Sequence, residues 1–257
     1  MSSAESWPCW EDPVVIAARD FCLKVGMEQP PSDRYAWDRW NMAHVHTILM
    51  NRLEATYKNA SHIAANDYAT YWAVAYADVH FVLDHHVSEE EFYFPCLTGG
   101  IMEPNTKQHA EFAKQVEDTL MYLGTVDPSK QDSQPFSASA FRASIEVWLR
   151  TGAQHMHDEL TTLEAENLKQ AGVTLQQLED AIKSVAKHRA ETEDVHALPA
   201  MMYADPGTKF PSDAPWFVPN LLAPAMAYAT GLGRMKYYWK ARRWETTAPN
   251  AHPQSLS

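Results

Sequence analysis

Cysteine is scarce in this chain, a long apolar run is missing, and so is any surplus of basic residues. Its three cysteines, Cys9, Cys22 and Cys96, are odd in number, far apart and without a CxxC pair. That argues against a disulfide framework and a thiolate zinc site, and for a reducing, intracellular and cytoplasmic setting. No uninterrupted stretch of about 18 apolar residues occurs, so neither a transmembrane helix nor a membrane partner is expected. With 21 Lys and Arg against 33 Asp and Glu, the net charge of −12 lacks the basic face of a nucleic-acid binder. The first ten residues contain Glu5 and no apolar core, so a secretory signal is not expected either. Alternating strand patterns and tandem repeats are also absent.

What remains is the composition of an ordinary folded protein, 46% hydrophobic and 21% charged, long enough to bury a sizeable core. The periodicity predicts an all-α chain. Helices are expected over residues 13–25, 38–58, 67–92, 105–123, 138–170 and from 175 to at least 185, with Asp67 or Asn66 as a cap. The stretch 124–137 reads as a loop. Residues 197–224 carry six prolines among Met, Tyr, Phe and Trp side chains, which reads as an irregular cover, followed by a helix over 223–245. The domain division is then 1–37 as lead-in helix, 38–170 as main bundle, 171–247 as extension packed on it, and 248–257 as disordered tail.

The informative residues lie on the inward stripes. Met42, His46, Leu49 and Leu53 recur at helical spacing. So do Val79, Val82, His86 and Glu89, with His85 on the shoulder; His109, Phe112, Val116 and Leu120 or Leu123; and Ile145, Trp148, Gly152, His155, Glu159 and Leu163. A helix turns about 100° per residue, so His85 and Glu89 share a face, as do His155 and Glu159. Glu89 alone lies three residues from His86 and four from His85, which makes it the pivot of the site. Burying histidine and carboxylate in an apolar core is costly unless something satisfies them, and a metal satisfies them together. Imidazole with carboxylate and no thiolate suits iron, manganese or zinc. His44, His62, His80 and His157 fall outside these stripes and are not assigned, and Glu90 and Glu91 read as a flank able to orient ligand histidines.

The run His85-His86-x-x-Glu89-Glu90 with Phe94-Pro95, His46 before it, His109 after it and His155-x-x-x-Glu159 last resembles the signature of the hemerythrin-like, HHE cation-binding family. The likeness spans about residues 38–165, and the Pro- and Trp-rich tail resembles extensions of fungal-type members. It implies an up-down four-helix bundle around a nonhaem diiron centre, bridged by an oxo or hydroxo group and two carboxylates. Carried over, Glu89 and Glu159 bridge, and His46, His85, His109 and His155 are terminal ligands. Oxygen carriers of this type have a second histidine one turn after His109, where this chain has Ala113. His86 either restores the five-histidine set or is only a neighbour.

Two functions of different class follow. The first is an oxygen-activating oxidoreductase that oxidises a small apolar or aromatic metabolite, with no catalytic residue assignable beyond the metal ligands. The second is a non-catalytic protein that binds or senses dioxygen, NO or iron. The aromatic and basic stretch 236–244 is read as packing on the bundle rather than meeting a membrane.

Overall fold

The computed structural model describes residues 7–63 and 65–192. The cover expected over 197–224, the helix over 223–245 and the tail beyond 247 lie outside those residues. Among the described residues every regular element is helical.

Helix α1 spans Pro13–Gly26 and begins as its sequence dictates. Proline occupies the first turn, where its missing N–H costs nothing, and the Asp12 side chain accepts from the Val14 N–H at 2.8 Å. Helix α2, Arg34–Asn59, is capped by Asp33, which accepts from Tyr35 at 3.0 Å. Helix α3 runs Tyr68–Ser88; Asp67 holds its cap position, but without a side-chain cap hydrogen bond. The α-helical continuation expected to residue 92 does not occur. The chain passes into a π turn, Glu89–Tyr93, and then a 3-10 turn, Phe94–Cys96. Gly99 and Gly100 follow with φ of 79° and 63°. A Cβ on Gly99 would stand 2.8 Å from the Ala171 carbonyl oxygen, so glycine is required on two counts.

Helix α4 covers Glu103–Thr125 and α5 covers Ala138–Thr162, the latter capped by Ser137. The single helix expected over 138–170 is broken at Leu163 and Glu164, and a short α6, Ala165–Gln170, takes over. In a continuous helix Leu163 and Leu168 would face about 140° apart. The extended Glu164, with ψ of 134°, lets both reach 0% exposure. Helix α7, Leu175–Thr192, ends the described chain.

Helices α2, α3, α4 and α5 touch in a closed cycle, α1 lies against α2 and α5, and α7 lies against the π turn and α2. Leu49, Val79, Val82, Phe112, Val116, Ile145 and Trp148 fill the interior at 2% exposure or less. Each such side chain contributes about 1.5–3 kcal/mol of burial. Leu123 is fully buried and Leu120 only partly, which decides between the two. Register is set by polar pairs between helices. Arg52 meets Asp78 at 3.2 Å across α2 and α3, Trp148 Nε1 donates to Thr119 at 3.2 Å across α5 and α4, and Arg142 donates to the Tyr57 and Lys58 carbonyls, each at 3.0 Å, at the end of α2. No helix among the described residues is long and apolar enough to cross a membrane.

Candidate metal centre

The seven inward His and Glu residues all lie in the interior of the helix cycle, at 0–4% exposure. His46 comes from the middle of α2, His85 and His86 from the last turn of α3, and Glu89 from the first position of the π turn. His109 projects from α4, and His155 and Glu159 from α5. At the π turn the Phe94 N–H donates to the Glu89 carbonyl, one residue further round than α-helical bonding allows. Such turns commonly mark functional sites. Here it directs Glu89 inward with Tyr93 behind it.

The seven form two groups that could hold metal ions: His86, Glu89, His109 and His155, and His46, His85, Glu89 and Glu159. Glu89 belongs to both. Its Oε1 is 3.0 Å from His85 Nε2 and its Oε2 is 3.5 Å from His109 Nε2, so each oxygen faces a different group. Glu159 Oε2 stands between them as well, 3.2 Å from His46 Nε2 and 3.6 Å from His155 Nε2. His109 Nε2 and His155 Nε2 are 2.9 Å apart. Two nitrogens at that separation subtend close to a right angle at an ion about 2.1 Å from each, an angle that octahedral coordination accepts.

Electrostatics keep the imidazoles of His86, His109 and His155 in the state a cation needs. His86 is held well below the usual histidine range by burial, then by His109 and His46. Burial does the same to His155, followed by His86, His109 and His46. Burial brings His109 down to about 4, against the pull of Glu159. These rings are therefore neutral at physiological pH, with lone pairs available. Orientation comes from neighbours. His109 Nδ1 meets Glu90 Oε1 at 2.9 Å, which turns Nε2 inward, and Phe94 stacks on the same ring at 5.5 Å. One ring nitrogen of His86 bonds the Val82 carbonyl, leaving Nε2 inward, and Phe112 meets this ring edge-on at 4.9 Å.

The donor set fits a pair of cations. Both ring nitrogens of His46, Nε2 of His86 and both oxygens of Glu159 are buried without a hydrogen-bond partner. Native interiors rarely tolerate so many orphaned polar atoms in one place unless an ion or water satisfies them.

The unassigned histidines lie outside both groups. His44 is buried against Trp40 at 4.4 Å and beside Gly26; His62 and His80 are exposed; His157 packs on Phe21 at 4.6 Å and meets Asp158 at 3.2 Å. Sequence reasoning missed two residues beside the site, Tyr93 and Asp38. Asp38 continues the stripe of Met42 and His46 by one more turn, and that spacing was the available signal.

An apolar cavity of about 10 Å³ lies about one helical turn from the centre, lined by Leu49, Met50, Val82, Leu149, Gly152 and Met156 among others. Leu49 and Met50 follow His46 by three and four residues, and Val82 precedes His85 by three. Val82 also precedes His86 by four and Gly152 precedes His155 by three, so the cavity lies about one helical turn from both groups. Compared with known proteins, the chain matches no family model, no curated protein and no solved structure.

Proposed function

We propose that the cycle of α2, α3, α4 and α5 is an up-down four-helix bundle of the hemerythrin-like type, and that it binds dioxygen at a nonhaem diiron centre. One observation carries the reading: Glu89 presents one oxygen to each of two buried histidine groups. His86, His109 and His155 would hold one ion, His46 and His85 the other, with Glu89 and Glu159 spanning both. Manganese or zinc suits the same donors, but only a redox-active pair serves dioxygen. When bound, two ferrous ions supply the electrons that dioxygen uptake requires.

The protein's own part is to position and to exclude. Helix α4 lacks a second inward histidine at Ala113, and His86 stands where it can make up the five. The nitrogens then divide three and two, and the two-histidine ion keeps the lower ligand count. Leu49, Val82 and Gly152 line a small apolar cavity about one helical turn from both groups. A cavity of about 10 Å³ is at the lower limit for a single water and has no room for an aromatic ring, which favours binding of a small ligand at the ions over oxidation of a metabolite. The best-supported function is thus binding or sensing of a diatomic. Oxidation of a small metabolite is the second reading, favoured by Tyr93, a buried phenol in the field of Glu89 and Glu159, and by the buried Asp38 that faces it, groups a simple carrier does not need.

Metal analysis of protein loaded with ferrous iron under anaerobic conditions tests the centre. Two irons per chain are expected, one for each group. Glu89→Ala should lose at least one, and His157→Ala should keep both. Retention of both irons in Glu89→Ala, or no iron in the unaltered protein, overturns the reading. Admission of dioxygen then separates the functions: a reversible absorbance change indicates binding, and irreversible decay accelerated by a candidate substrate indicates turnover.

A further inference from the structure

A line of polar side chains leaves the carboxylate side of the centre and reaches the surface. Tyr93 closes the π turn and is 6% exposed. Its hydroxyl faces the Asp38 carboxylate and lies in the field of Glu159 and Glu89; burial first, then these three, hold it protonated. Asp38 lies on α2, two turns before His46, and is 4% exposed. Arg34, one turn further out and with a third of its side chain in solvent, brings Nη2 to 4.0 Å from Asp38 Oδ1.

The cost of this arrangement is plain. Phenylalanine would pack as well as Tyr93 and bury no hydroxyl, and asparagine would carry no charge at position 38. Neither the Tyr93 hydroxyl nor Asp38 Oδ2 completes a hydrogen bond within the protein. Buried groups of this kind are normally satisfied by ordered water or a shared proton. Burial pushes Asp38 up to about 7, against the guanidinium of Arg34 and the Tyr93 hydroxyl, so the carboxyl can both hold and release a proton near neutrality.

We propose that Asp38 and Tyr93 form a proton path from solvent at Arg34 to the carboxylate side of the dimetal centre. The path rests on the dimetal reading and adds what that centre needs for proton-coupled chemistry. A proton from water reaches the Asp38 carboxylate and leaves hydroxide outside. The Asp38 O–H bond then breaks as the Tyr93 oxygen accepts, and the Tyr93 O–H bond breaks as its proton passes to a carboxylate oxygen of Glu89 or Glu159, the groups whose field it lies in. Both side chains end in the state in which they began, and no electron moves along them.

Reduction of a buried centre adds negative charge in a medium of low dielectric, which draws protons inward. The test is therefore proton uptake from an indicator dye after rapid photoreduction of the oxidised, iron-loaded protein, with bound iron measured on the same samples. Tyr93→Phe and Asp38→Asn should each slow uptake on the order of a hundredfold at unchanged iron content, with Asp38→Glu restoring part of the rate. Tyr68→Phe, whose hydroxyl serves the Val126 carbonyl at 2.5 Å, should leave it unaltered. Should Tyr93→Phe lose iron, Asp38→Asn decides. Uptake at the unaltered rate in an iron-loaded variant overturns the path alone, whereas unaltered protein that takes up no iron overturns the dimetal reading and the path with it.

Discussion

Replacing Glu159 by methionine should make the metal-free protein more stable while damaging the site. Glu159 is fully buried, and neither oxygen has a hydrogen-bond partner. Leaving such a group unsatisfied costs about 1–3 kcal/mol, more where it is charged, and methionine fills a similar volume without that cost. A chain of this size gains about 2–4 °C in Tm per kcal/mol, so chelated Glu159→Met should melt about 2–12 °C above chelated wild type. Zinc, as a redox-silent probe at a hundred times its Kd, should then stabilise the wild type by about 2.7 kcal/mol. The variant should gain less, because the group containing His46 and His85 has lost a donor. Thermal unfolding followed by circular dichroism, with chelator and with zinc, gives all four values. A chelated variant that melts below chelated wild type would refute the reasoning, since it would mean that His46 and Glu159 hold each other across 3.2 Å without a metal. Equal stabilisation of both proteins by zinc would refute it as well.

Three further outcomes follow from the same geometry. A Cβ on Gly152 would meet only the Trp148 ring, at 3.5 and 3.8 Å, so Gly152→Ala should stabilise α5 by about 0.5–1 kcal/mol. By narrowing the cavity it should also slow NO binding to the ferrous protein, which stopped-flow absorbance reads; faster binding would exclude the cavity as the route. Glu90→Ala removes the partner of His109 Nδ1 and should weaken metal affinity about 10–100-fold, with Glu90→Gln less affected, measured by competition with a chromogenic chelator. Asp38 holds its proton up to about 7 when folded, against an ordinary 3.8. Unfolding therefore releases a proton between those values, and wild-type stability falls as pH rises from about 4 to about 7. The fall is up to roughly 4 kcal/mol at about 1.4 kcal/mol per unit. Urea unfolding of Asp38→Asn should lack that fall, and an unchanged pH profile would count against the burial argument.

Much of the fold was legible because its signals are local. Proline in the first turn of α1 and Gly99 with Gly100, which end the α3 region in a left-handed turn, are such signals, whereas α2, capped by Asp33, starts at Arg34 rather than at the expected residue 38, and Asp67, expected to cap α3, makes no side-chain cap bond. The break between α5 and α6 was not legible. The break lets Leu163 and Leu168 both be buried while α6 packs on α2, a tertiary demand that the helix's own pattern does not announce. The π turn was hidden for a similar reason, since one extra residue in a turn leaves no side-chain period to read. Tyr93 and Asp38 sit on different elements, so nothing in either local pattern announces that they meet.

The sequence by itself determined that His46, His85, His86, Glu89, His109, His155 and Glu159 are buried. Position around a helix axis follows from residue number at a fixed angle per residue, and the inward face is set by the apolar neighbours in phase. Only the tertiary structure decided how they divide. Which histidine faces which depends on the axial stagger of α2, α3, α4 and α5, and that is fixed by packing and by pairs such as Arg52 with Asp78. That stagger sends adjacent His85 and His86 to different groups, turns the two oxygens of Glu89 toward different histidines, and sets an apolar cavity on one side of the centre and Tyr93 on another.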